Sequence, residues 1–132
     1  MKCAPATIVH GLSDALSALR LGEAVTLVSA PGAALHGGCG WWKALIDTAR
    51  AAHPDVECTD ILDCADASGL ALAALRLGVV RLVLWPDAPG RAAIVALAEA
   101  AGGFVLAESP AKTVPHRGPG GGTNGDKAPS PG

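Results

Sequence analysis

The strongest constraint on this chain is a strict alternation of two hydrophobic patterns. Short, nearly continuous apolar runs at 7–10, 25–29, 56–64, 81–85 and 104–107 are separated by stretches at 13–21, 41–53, 68–77 and 91–101 whose apolar residues recur at helical spacing. Strands covered by helices lose the polar half of their pattern, and parallel strands need a crossover of helical length between them. The alternation therefore predicts an α/β domain with a mainly parallel sheet of four or five strands, in flavodoxin-like or Rossmann-like element order. It also leads us to expect a three-layer arrangement, with right-handed crossovers placing helices on both faces.

Local signals punctuate this pattern. Ser13 is placed as the N-cap of the first helix, and Gly22 stops it. The second helix carries Trp42, Leu45, Ile46 and Ala49 on one stripe, with Lys43, Asp47 and Arg50 turned outward. Pro54 ends it, because proline disfavours helical geometry at its predecessor. The pentapeptide Ala-Leu-Arg-Leu-Gly occurs at 18–22 and again at 74–78, each time before an apolar strand. Leucine-rich helix ends closed by glycine are a common solution to one geometric problem, and two copies do not make a repeat fold.

The chain has 132 residues, half of them apolar and 17% charged, which is enough for one hydrophobic core without metal or disulfide staples. Residues 1–110 are read as that domain. Residues 111–132 hold 10 Gly or Pro and are read as a disordered tail. A formal charge of -2 and four aromatic residues give neither the basic footprint nor the stacking surface of a nucleic-acid binder. No window approaches the roughly 18 uninterrupted apolar residues of a membrane span, the start does not read as a signal peptide, and four irregularly spaced cysteines fit reduced thiols. The expected location is cytoplasmic.

Ligands of parallel sheets bind beyond the carboxyl ends of the strands, near the point where strand order reverses. Three such ends carry candidate groups here, Ser29 to Trp42, Asp63 to Gly69 and Trp85 to Gly90. The first has the G-x-x-x-x-G spacing of a phosphate-binding loop from Gly32 to Gly37, but Gly38 and Cys39 stand where that motif needs Lys and Ser/Thr. A nucleoside triphosphatase is thereby disfavoured. What remains is a glycine loop able to approach a small anion at a helix N-terminus, or one that merely permits a tight turn. Gly32, Gly37, Gly38, Cys39, Trp41, Asp66, Trp85 and Asp87 are the candidate ligand-binding residues.

Catalysis would have to use Cys39, with a thiol made acidic by the helix terminus, and His36 as its base; Asp63 is the carboxylate to watch. His36, Cys39, Cys58, Asp60, Asp63 and Cys64 are competent metal ligands, yet no spacing among them forms a metal motif, so no metal and no cofactor is expected. Asp60 and Asp63 lie in or near a strand and need partners if buried. Asp66 and Asp87 have ordinary alternative roles as a helix cap and a turn former. The Leu/Ala helix 68–77 is apolar nearly all round, which points to a homo-oligomer contact or to burial on several sides. The expected function is a non-catalytic module that binds a small anion or a partner. Two alternatives are a thiol-dependent enzyme using Cys39 with His36, and a structural homo-oligomeric interaction protein.

Overall fold

The computed structural model describes residues 5–111. Five strands and four helices alternate as β1 (Ala6–Val9), α1 (Leu12–Leu19), β2 (Val25–Ser29), α2 (Ala34–Ala52), β3 (Cys58–Asp63), α3 (Ser68–Arg76), β4 (Arg81–Val83), α4 (Arg91–Ala100) and β5 (Phe104–Leu106). All four strand pairs are parallel, and the order across the sheet is β1-β2-β3-β4-β5. The α/β class, the parallel sheet and the element order are those the hydrophobic pattern predicts.

The layering differs from the expectation of three layers. One buried cluster joins Val9, Leu27, Leu62 and Leu82 of the strands to Ala15, Trp42, Ala71 and Ile94 of the four helices. The alternate strand residues Ala6, Ile8, Val28, Ile61, Val83, Phe104 and Leu106 form a second cluster that contains no helical residue. All four helices therefore lie on one face. The reason is topological: a chain that always steps one strand in the same direction, through crossovers of one hand, returns its helix to the same side each time. Sequential order also leaves no reversal point, so the switch-point crevice expected at the rim has no counterpart.

On the helical side, packing follows the predicted stripes. Ala34, Trp42, Leu45, Ile46 and Ala49 are the buried residues of α2. Helix α3 touches α2 on one flank and α4 on the other, over the sheet. Leu70 and Leu75 pack against the core there, while Leu77 just past the helix is exposed. The first cap differs from prediction: α1 starts after Gly11 without a side-chain cap, and the Asp14 carboxylate accepts from the His10 N–H at 2.9 Å.

On the helix-free side, the segment after β5 folds back, and Ala111 is buried against Val28, Ile61 and Val83. Ala111 belongs to the packed unit, one residue beyond the predicted boundary. The rest of the predicted tail lies outside the described residues. No helix among the described residues is long and apolar enough to cross a membrane.

The turn into β5 sets a sharp steric requirement. A Cβ at Gly103 would stand 1.9 Å from the Val80 carbonyl oxygen, whereas one at Gly102 meets nothing within 4 Å and is opposed only by a φ of +88°. Gly103→Ala is expected to cost about 2–3 kcal/mol, as overpacking does, and Gly102→Ala about 1 kcal/mol. Equal losses for the two variants in denaturant unfolding would contradict this packing.

Candidate functional site

The carboxyl ends of β2, β3 and β4 are neighbours, so the three candidate loops share one rim. Asp63 bonds the first two to each other, and Ala65 and Ser68 bond the third to the second. The Asp63 side chain is 2% exposed, and its Oδ1 accepts from the Ala65 N–H at 2.9 Å and the Gly32 N–H at 3.4 Å. Its own backbone N–H donates to the buried Ser29 Oγ at 2.8 Å. The Trp85 N–H then donates to the Ala65 carbonyl, and the Ser68 hydroxyl to the Pro89 carbonyl. Asp63, a candidate for acid–base chemistry, is therefore the knot of the rim. Ser29 opens the first candidate stretch but is not among the candidate ligand-binding residues. It differs from the apolar strand residues around it only in being a hydroxyl that parallel pairing brings beside β3.

Burial pushes the Asp63 carboxyl above its ordinary value, and the two N–H donors offset only part of that rise. Ala65, which follows it by two residues, holds a φ of +53°, a left-handed conformation that costs a non-glycine residue about 1 kcal/mol. The strain is tolerated where the Ala65 N–H and carbonyl both serve the knot.

The glycine loop departs from its predicted form. Helical hydrogen bonding begins at Ala34, and Gly38, at φ +80° and ψ 166°, interrupts it before the main body of α2. That conformation is open essentially to glycine alone. Gly37 is required for a different reason, since a Cβ there would stand 2.9 Å from the Trp41 ring. Both glycines thus have structural duties independent of any ligand. The N–H groups of Ala33, Leu35, His36 and Gly37 donate to carbonyls of the same loop, and that of Gly32 to Asp63. A phosphate-binding loop presents such donors to its anion.

The remaining candidates are dispersed. Cys39 is half-buried against the core, His36 is exposed, and no hydrogen bond joins them. Trp41 stacks obliquely on Trp42, with ring centroids 5.9 Å apart. Trp42 is fully buried and its indole N–H has no partner. Trp85 is 43% exposed at the exit of β4. Asp66 and Asp87 are exposed; α3 begins after Ala67 with no side-chain cap, so Asp66 does not cap it, and the turn at Asp87 is closed by the Ala88 N–H to the Trp85 carbonyl. Among the described residues, no three His, Cys, Asp or Glu side chains come together as a metal site. A cavity of about 440 Å³ lies away from the rim, beside β1 and α1, with Asp14 and Glu23 among its lining residues and no Lys or Arg.

At the opposite end of β3, Asp60 has the contrary fate. Its carboxylate is 7% exposed, and Oδ1 accepts from Arg50 at 2.7 Å and Arg81 at 2.8 Å. Burial alone would raise its pKa, but the two guanidinium groups outweigh burial and hold the carboxyl below its ordinary value. Sequence reasoning identified Asp60 as needing a partner but not which residues supply it. Arg50 was assigned to the outward face of α2, and Arg81 lies in the neighbouring strand.

Two outcomes follow. Asp63, with its folded pKa raised, contributes stability that is present below 3.8 and lost as pH rises through the folded value. Asp63→Asn keeps an acceptor for both N–H groups and removes that loss. Unfolding measured from pH 3 to 7 is expected to show the variant gaining on the native chain as pH rises. A stability difference between the two that does not change from pH 3 to 7 would contradict the assignment. Burial and the neighbouring Asp63 push the Cys64 thiol up to about 12, so at pH 8 in the folded protein it should resist alkylation until the chain unfolds. Rapid native labelling of Cys64 would contradict its burial. No protein-family model, no curated protein and no solved structure matches this chain.

Proposed function

We propose that this chain is a non-catalytic, partner-binding α/β module. Its binding surface is the helix-free face of the sheet, and its partner contributes an amphipathic apolar segment. The observation that carries this reading is the second cluster, in which half-buried Ile8, Phe104 and Leu106 surround the buried Val28 and Ile61 on a face without helices. Parallel sheets are normally covered on both faces, because their strands carry apolar side chains on both. Here the described cover is a short return segment ending at Ala111. Beside it lies a cavity of about 340 Å³ between Ala6, Thr26, Thr59, Phe104, Leu106 and Pro110.

Size and composition select the occupant. Five strands at about 4.8 Å spacing and three to six residues long give a face of about 300–400 Å². The chain beyond Ala111 offers one aliphatic residue larger than alanine, Val114, against ten Gly and Pro in 111–132. A helix about 10 Å across fits the face and supplies the missing layer. What supports a partner over a small anion is the glycine loop, whose Gly32, Ala33, Leu35, His36 and Gly37 N–H groups are bonded internally, and an Asp63 carboxyl group beside it.

The test places a photo-crosslinking residue at Thr59, on the face, and a control at Thr48, on an exposed part of α2, in the full chain within its own cells. The expected result is one discrete adduct at Thr59, mapping to an amphipathic segment of another protein and lost in Thr26→Lys. That substitution puts a charge on the half-buried face and is expected to cost about 1 kcal/mol of stability or less. An adduct to residues 112–132, an adduct to a second copy, or none beyond the control would each overturn the proposal.

A further inference from the structure

The amino ends of β3 and β4 carry a second site that is independent of the sheet face and of the rim. Asp60 is a single carboxylate serving two guanidinium groups, both bonded to the same oxygen at 2.7 and 2.8 Å. One negative charge cannot neutralise two positive ones, so the triad is left with an excess positive charge. Lys43, paired with Asp47 at 2.8 Å, stands on the same small cavity of about 140 Å³ and adds no net charge to it. The cavity therefore holds three cations and two carboxylates, in a chain whose residues 1–110 carry 7 basic and 11 acidic groups.

The donors are also fixed in advance. Arg50 Nη2 donates to the Cys58 carbonyl as well as to Asp60, and Arg81 Nε donates to the Asp60 carbonyl at 3.1 Å. Among the described residues, no acceptor is bonded to Arg50 Nε or Nη1, or to Arg81 Nη1. A guanidinium has five N–H donors in a rigid fork, so these unused hydrogens have set directions. The side chains of Arg50 and Arg81 are 38% and 29% exposed, so they border both the buried carboxylate and solvent. Two guanidinium groups held side by side by a carboxylate behind them are arranged as a receptor for a planar or tetrahedral oxyanion.

We infer that the Arg50–Asp60–Arg81 triad, with Lys43 at its border, binds a dianionic tetrahedral oxyanion, either free phosphate or the phosphate group of a small ester. The cavity admits one such group and little more, which favours the phosphate end of a ligand over an extended polyanion. Asp60 is a positioning residue: it orders both arginines, and its own charge limits the affinity. Dianions are preferred to carboxylates because the excess charge and the paired forks favour the higher charge density.

The test is a titration of the full chain at low ionic strength with inorganic phosphate, glycerol phosphate and acetate, followed by the side-chain Nε–Hε resonances of Arg50 and Arg81. Saturable shifts of both resonances at millimolar phosphate, at least ten-fold weaker with acetate, are expected. Arg81→Gln should weaken binding at least ten-fold. Asp60→Asn should strengthen it several-fold, because it removes the competing charge and keeps an acceptor for the arginines. The Asp60 variant separates binding from folding, since a merely structural triad loses stability in both variants and binds phosphate in neither. Tighter binding of glycerol phosphate than of phosphate identifies an ester ligand, and equal binding identifies the free ion; both support the site. No saturable shift up to 50 mM phosphate (~50 mM being far above a useful affinity), or shifts unchanged in Arg81→Gln, would overturn it.

Discussion

Everything distinctive in this protein follows from the direction in which its chain crosses the sheet. Each crossover moves one strand further the same way, so β1 to β5 lie in sequence order and the helices accumulate on one side. The helical layer is then well packed, with α2 and α3 each flanked by helices and Trp42 fully buried beneath them. The same constraint leaves the other side with apolar strand residues and a short return segment. A doubly wound sheet would have spent half of its helices there.

The two buried aspartates of β3 show how strand ends are used when no switch point exists. Asp63, at the carboxyl end, faces N–H groups and no cation, and it ties the β2 loop to the β3 loop, which is bonded in turn to the β4 loop through Ala65 and Ser68. Asp60, at the amino end, faces two guanidinium groups and stays ionised to lower pH. Three residues apart on one strand, they are pushed in opposite directions by what the neighbouring elements present. The rim is consequently a structural knot, and the amino end is where fixed charge is concentrated.

Much of this was legible in the residues. The α2 stripe of Trp42, Leu45, Ile46 and Ala49 is buried as its periodicity requires, because helical spacing is a local property. Gly22 and Gly78 end their helices with positive φ for the same local reason. Strand order is not local, and nothing in the hydrophobic runs records which strand lies beside which. Even so, Thr26 and Thr59 interrupt two apolar strands, a trace of one face meeting less than full cover. The candidate loop residues were found because parallel strands put such loops on one rim. Their roles were not, because the bonds from Gly32 to Asp63, from Asp63 to Ser29 and from Arg81 to Asp60 join residues 21 to 34 positions apart.

The account rests on the helix-free face being available to another chain. The most direct check is paramagnetic relaxation by a soluble, uncharged gadolinium chelate, read at the methyl groups of the isolated full chain. Strong relaxation at Ile8 and Leu106, with Leu27, Ile46 and Leu62 protected, is the predicted pattern. Methyl groups of Ile8 and Leu106 as protected as those of Leu27 and Leu62 would mean the chain covers that face itself, and would contradict the account.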